Sequence, residues 1–90
     1  MVPRITVRYF ARFREKLELS EEVIELRPDM QTVNALRSDL ALRGDAWAAL
    51  VGPEASAVMV ALNQNLLNVS GEVELSDHDE VAFFPPVTGG

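Results

Sequence analysis

Cysteine is absent from this 90-residue chain, which excludes disulfides, thiolate metal sites and a catalytic thiol. Sulfur chemistry, if there is any, has to come from a partner or from a modified terminus. Basic residues are scarce. Eight Lys and Arg stand against fourteen Asp and Glu, a formal net charge of −6, and such a balance repels a phosphate backbone and argues against nucleic acid as a partner. No apolar run is long enough to span a bilayer. The first ten residues alternate with Arg4 and Arg8 instead of showing the basic start and apolar middle of a signal peptide. These absences predict a cytoplasmic protein without a membrane partner. The single histidine, His78, is the one base available to Ser20, Ser38, Ser56, Ser70 and Ser76, and no third member completes a triad. Asp77-His78-Asp79 are neighbours in one turn and cannot readily converge on an ion, so no metal site is read there.

What is present is an ordinary globular composition, 48% hydrophobic and 24% charged, enough for one small domain with one core. Arg4, Arg8, Arg12, Arg14 and Lys16 place five of the eight basic residues in the first sixteen positions. They read either as a local basic edge that orients a partner or as solvated charge on a strand and turn.

Along the chain, residues 2–10 alternate with period two, Ile5, Val7 and Tyr9 on one side and Arg4, Thr6, Arg8 and Phe10 on the other, which predicts a half-buried strand. Residues 11–17 are helix formers, a short turn of helix before the chain reverses. Residues 22–26 predict a second strand whose inward face the pattern leaves open between Val23 and the pair Ile24 and Leu26; Pro28-Asp29 ends it. Thr32 caps the one long helical pattern, Val33, Leu36 and Leu40 facing in with Ala41 at the margin, Asn34, Arg37, Ser38 and Arg43 facing out, and Gly44 as the stop. Asp45 is read as the cap of a second short helix with Trp47, Leu50 and Val51, broken by Gly52-Pro53; Trp47 is read as a core anchor. Residues 57–63 predict a strand with Val58, Val60 and Leu62 on one face and Met59 and Ala61 on the other. Asn63-Gln64-Asn65 is turn chemistry, the chain returns through Leu66 and Leu67, Ser70-Gly71 is a second break, and residues 72–75 are loop or short strand. Asp77-His78-Asp79 turns into a final strand over residues 80–84. Two strands, a helix and then further strands, the last parallel to the first, predict an α+β fold, the ubiquitin-like β-grasp, with a mixed sheet of about five strands and one main helix across one face.

The end of the chain departs from ordinary composition. Pro85 and Pro86 cannot donate ladder hydrogen bonds and stop the sheet at Phe84. A domain over residues 1–84 and a tail over residues 85–90 follow, and the bare Gly89-Gly90 lets a terminal carboxylate be approached closely from any side. Gly90 is therefore the candidate reactive residue, with Pro85, Pro86, Val87, Thr88 and Gly89 as the segment that inserts into a partner. Parity supplies a second feature. Phe10 and Phe84 fall on the face that the helix does not cover, and Leu66 joins them from the turn region, a candidate docking patch. The alternative is that the rings tuck beneath the 11–20 connection.

At Asp79-Glu80-Val81-Ala82-Phe83-Phe84-Pro85-Pro86-Val87-Thr88-Gly89-Gly90 the chain closely resembles the small-subunit family of molybdopterin synthase, sulfur carriers with the β-grasp fold. Tyr9-Phe10-Ala11-Arg12-Phe13-Arg14-Glu15, Thr32-Val33-Asn34-Ala35-Leu36 and Val60-Ala61-Leu62-Asn63-Gln64-Asn65-Leu66 extend the resemblance over nearly the whole chain. It implies that an ATP-dependent adenylyltransferase, similar to ubiquitin-activating enzymes, adenylates the Gly90 carboxylate, and that a sulfur donor converts it to a thiocarboxylate. It further implies that the tail enters the large synthase subunit, within a heterotetramer, and that sulfur passes to cyclic pyranopterin monophosphate. ATP would belong to the activating enzyme, no cofactor would be bound permanently, and the chain would not be catalytic alone. Phe10, Leu66 and Phe84 fall where the family meets its partners. His78 departs from the pattern, since that turn usually carries glycine. Three other readings stand beside this one: a carrier for thiamine or tRNA thiolation, a ubiquitin-like modifier joined through Gly90, and a plain interaction module.

Overall fold

The computed structural model describes residues 2–67 and 73–86. Strand β1 (Arg4–Tyr9) sends Ile5, Val7 and Tyr9 inward, all essentially inaccessible, as its alternation requires. Helix α1 (Ala11–Leu17) follows at once and buries Phe13. Strand β2 (Glu21–Glu25) runs antiparallel to β1, with Ile5 opposite Ile24. That register settles the inward face of β2: Ile24 packs on the core and Leu26 is buried just beyond the strand, whereas Val23 is exposed.

Helix α2 (Val33–Ala41) starts where a hydroxyl can satisfy a free amide, the Thr32 Oγ1 accepting from the Ala35 N–H at 3.1 Å. It buries Val33, Leu36 and Leu40, as its spacing predicts, but also Arg37, which the spacing had placed outside. The stop is corrected as well. Leu42 caps α2 in right-handed geometry, while Gly44, at φ 152°, is the N-cap of helix α3 (Asp45–Val51), so Asp45 is the first helical residue and not the cap. Glycine serves there because side-chain-bearing residues rarely adopt that backbone. Gly52 is needed for a different reason: a Cβ on it would lie 2.6 Å from the Ala48 carbonyl oxygen.

Strand β3 (Met59–Leu62) and strand β4 (Asn65–Leu66) form a hairpin through Asn63 and Gln64, both at positive φ, as the two-residue turn that matches sheet twist demands. Strand β5 (Glu80–Phe84) has the bounds that the sequence predicts and lies at the centre, parallel to β1 and antiparallel to β3. The five-stranded order is β2-β1-β5-β3-β4. With the three helices on one side, this is the mixed sheet of a β-grasp. Its core is Tyr9, Phe13, Phe83 and the aliphatic residues around them. Trp47 packs on that core, edge-on to Tyr9 at 5.5 Å between ring centroids, in the anchoring role read from the sequence. The break at Ser70-Gly71 lies outside the described residues; of the following stretch, Glu74 bridges Thr32 and Leu75 is buried.

Two turns are tied together ahead of β5. Asp79 accepts from the Asn63 Nδ2 at 2.9 Å and from the Ser76 N–H at 2.8 Å, and the Asn63 Oδ1 accepts from the Glu80 N–H at 2.9 Å. His78 occupies this turn at φ 73°, a conformation that costs a side-chain-bearing residue about 1 kcal/mol. His78→Gly is expected to raise stability by about 0.5–1 kcal/mol in a thermal or urea melt. An unchanged or lower midpoint would show that the turn carries no strain.

Tyr9, Glu22 and Arg43 form a polar cluster at the edge of the core. The Tyr9 hydroxyl donates to the Glu22 Oε2 at 2.7 Å, and the two terminal nitrogens of Arg43 donate to the two Glu22 oxygens at 2.7 and 2.8 Å. Burial pushes the Tyr9 pKa up, and the bond to Glu22 adds to this. Burial alone would raise the Glu22 pKa, but the hydrogen bonds from Arg43 and Tyr9 outweigh it and hold it below 4.5. A carboxylate with a depressed folded-state pKa stabilises fully above its unfolded value and loses that contribution as pH falls through the folded one. Stability is therefore expected to fall below about pH 4.5, and Arg43→Met should cost about 1 kcal/mol at pH 7 while flattening that acid limb. Urea midpoints measured across pH 3–7 would check both.

Candidate functional site: an open sheet face at the end of the last strand

Alternation along β5 sends Val81 and Phe83 into the core and Ala82 and Phe84 to the other face. Register then extends that face across the sheet. Leu66, Ala61, Ala82, Arg8 and Glu21 form one row, each paired with the next. In the adjoining row Met59 stands opposite Phe84. Phe10 follows Tyr9, the partner of Phe83, and its N–H donates to the Phe83 carbonyl at 3.1 Å, which brings it alongside Phe84. The structure thus gathers Phe10, Leu66 and Phe84 on one face, as parity predicts. Phe10 is 37% and Leu66 53% exposed, and Phe84 is half-buried, so the rings are not tucked away beneath the 11–20 connection.

Three parts of this surface were placed by parity on the right side of their strands but not counted in the patch read from the sequence. Met59 continues the apolar row, and its parity had already set it opposite Val58 and Val60; what was lacking was the register with Phe84. Ala61 and Ala82 are nearly buried although the helices do not cover them, a low floor between Leu66 and Phe84. Arg8 holds the middle of the face, its guanidinium 5.2 Å from the Phe10 ring centroid, 3.6 Å from Glu21 and 3.9 Å from Glu80. It sits where a cation can lie on an aromatic ring while its charge stays hydrated.

β5 ends at this face. Pro85 is half-buried and Pro86 exposed, and Val87, Thr88, Gly89 and Gly90 lie outside the described residues. The arrangement offers an apolar landing surface where the chain leaves the sheet through Pro85 and Pro86. Covering the patch would contribute several kcal/mol at roughly 25 cal/mol per Å². A catalytic constellation is a different matter. Among the described residues no cluster of three or more His, Cys, Asp or Glu side chains is placed to hold a metal ion, and no helix is long and apolar enough to cross a membrane. Asp79 is committed to the turn, and His78 pairs with Asp77 at 3.3 Å on the surface.

Comparison with known proteins agrees with this geometry. The ThiS family profile matches residues 7–90. The molybdopterin synthase sulfur carrier subunit of Escherichia coli K12 is 44% identical over 86 residues, 96% of this chain and 99% of that protein. The subunit of the same name from Haemophilus influenzae is 41% identical with the same coverage. Among solved structures, the putative molybdopterin converting factor subunit 1 of Pyrococcus furiosus superposes with a TM-score of 0.74 at 33% identity, over 94% of this chain and 99% of that one. With its β-grasp sheet, its open apolar face and this likeness along nearly its whole length, the chain belongs to the ThiS family and is a homologue of molybdopterin synthase sulfur carrier subunits.

Proposed function

We propose that this protein is the sulfur carrier subunit of molybdopterin synthase, acting in the cytoplasm. The observation that carries the reading is the placement of Phe10, Phe84 and Leu66 on one uncovered face at the base of the segment ending in Gly89-Gly90. The relatives named above support it, since each is named for this role or a closely related one. In this reading an ATP-dependent adenylyltransferase activates the Gly90 carboxylate. A carboxylate is a poor electrophile until one oxygen becomes a good leaving group; as the acyl-adenylate it takes sulfide-level sulfur from a donor, AMP departs, and the product is a thiocarboxylate, a good sulfur nucleophile. The large subunit docks on the open face, takes in the segment 85–90, and supplies the groups that pass sulfur to cyclic pyranopterin monophosphate. The carrier contributes the landing face, the reach and the acyl group.

The test is reconstitution. The chain, ATP, the activating enzyme and a sulfur donor from the same organism should give a species heavier by the exchange of one oxygen for sulfur at Gly90. That species, mixed with the large subunit and the pterin, should yield the dithiolene. Thiocarboxylate without dithiolene, but with product formed by thiamine or tRNA thiolation enzymes, would reassign the carrier to those pathways. Isopeptide conjugates ending at Gly90 would make it a protein modifier instead.

A further inference from the structure

We propose that Ala11 is a positioning residue whose left-handed backbone fixes the Phe10 ring in the orientation that the large subunit meets. The inference rests on the docking role of the open face proposed above. Phe10 is the joint between sheet and helix. Its N–H donates to the Phe83 carbonyl and its own carbonyl accepts from the Phe13 N–H, both at 3.1 Å, so the residue that closes the β1–β5 ladder also opens α1 with no linker between them. Phe10 itself stays extended, at φ −123° and ψ 157°. The change of direction falls on Ala11, at φ 54°. Only two residues, Ala11 and Arg12, then separate a ring kept at the surface, Phe10, from one buried completely, Phe13.

Five described residues other than glycine have positive φ. Asn63 and Gln64 form a hairpin turn, His78 a second turn, and Glu18 the cap of α1, places where this backbone is customary. Ala11 is different. It lies against the docking patch, and its methyl group offers no polar atom to favour the left-handed state locally. Glycine would take the same backbone without strain, but it would release the torsions on which the direction of Phe10 depends. Alanine keeps the joint narrow at the expense of strain, and strain retained beside a binding surface is a mark of preorganisation. If the joint served folding alone, glycine would do as well or better.

The experiment measures affinity for the molybdopterin synthase large subunit of the same organism, by calorimetry with the full chain. Ala11→Gly is expected to bind about three- to fivefold more weakly, because the freed joint has to be ordered on docking. A chemically synthesised chain with D-alanine at position 11 accepts φ 54° without strain. It should melt above the natural chain and bind at least as tightly. Undiminished binding by Ala11→Gly overturns the proposal, and so does a loss that D-alanine does not restore. Phe10→Ala separates the two levels of the argument. If it leaves binding unchanged, the docking reading fails; if it weakens binding while Ala11→Gly does not, the positioning role alone falls.

Discussion

Extending the chain by one residue beyond Gly90, or converting its carboxylate to an amide, is expected to reduce sulfur transfer to background while leaving the melting temperature unchanged. The chemistry gives the first half. Adenylation needs a carboxylate oxygen to attack the α-phosphorus of ATP, and an amide in the same place is neither an acid nor a competent nucleophile. The fold gives the second half, because the sheet ends at Phe84 and, among the described residues, every strand pairing and core residue lies before Pro85. Binding to the large subunit should persist at reduced strength, since the open face is intact. Mass spectrometry of the acyl-adenylate, a thermal melt and a binding titration would read the three quantities separately. Sulfur transfer by a chain extended past Gly90, with the extension still attached, would exclude the Gly90 carboxylate as the group that bears the sulfur.

Arg37→Ala is expected to be the most damaging surface-to-core error that sequence reasoning would license, at about 2–4 kcal/mol and a fall in melting temperature on the order of 10 °C. The spacing of α2 sets Arg37 on the outer face, yet it is only 6% exposed. Its Nε donates to the Val51 carbonyl at 3.0 Å, and its Nη2 to those of Gly52 at 2.6 Å and Ala55 at 3.3 Å. These carbonyls belong to the end of α3 and the turn after it, where helical partners have run out and the helix dipole favours a cation. Burial lowers the Arg37 pKa, though a guanidinium stays charged through the working range. Truncation would strand the carbonyls and detach α3 from α2. Arg37→Lys should recover little, because one ammonium cannot reproduce a planar fork. Urea denaturation of the two variants would settle the matter, and a loss below about 1 kcal/mol for Arg37→Ala would mean that water replaces the guanidinium at little cost.

Arg37 also shows where reading from sequence stops. Period and punctuation are local properties, and what depended on them was legible: the inward set Ile5, Val7 and Tyr9, the Thr32 cap, the Asn63-Gln64 turn, and a last strand ended at Phe84 by Pro85. The open face was legible in part, because parity alone assigns Phe10 and Phe84 to the side opposite the core. Parity says nothing about neighbours. That Met59 faces Phe84, that Arg8 lies over Phe10, and that Gly44 begins one helix instead of ending another depend on register and on how α3 packs against α2.

By itself the amino-acid order determined which residues alternate, where α2 begins and β5 stops, and that two glycines follow two prolines within six positions, since each of these is decided by torsional preference and hydrogen-bonding capacity within a few positions. Only the tertiary structure decided which side chains share a surface, that a charged Arg37 is buried among carbonyls, and that Ala11 bears the turn beside Phe10. Those outcomes come from contacts between segments far apart in the chain, where burial and the need to satisfy every polar group outweigh local preference.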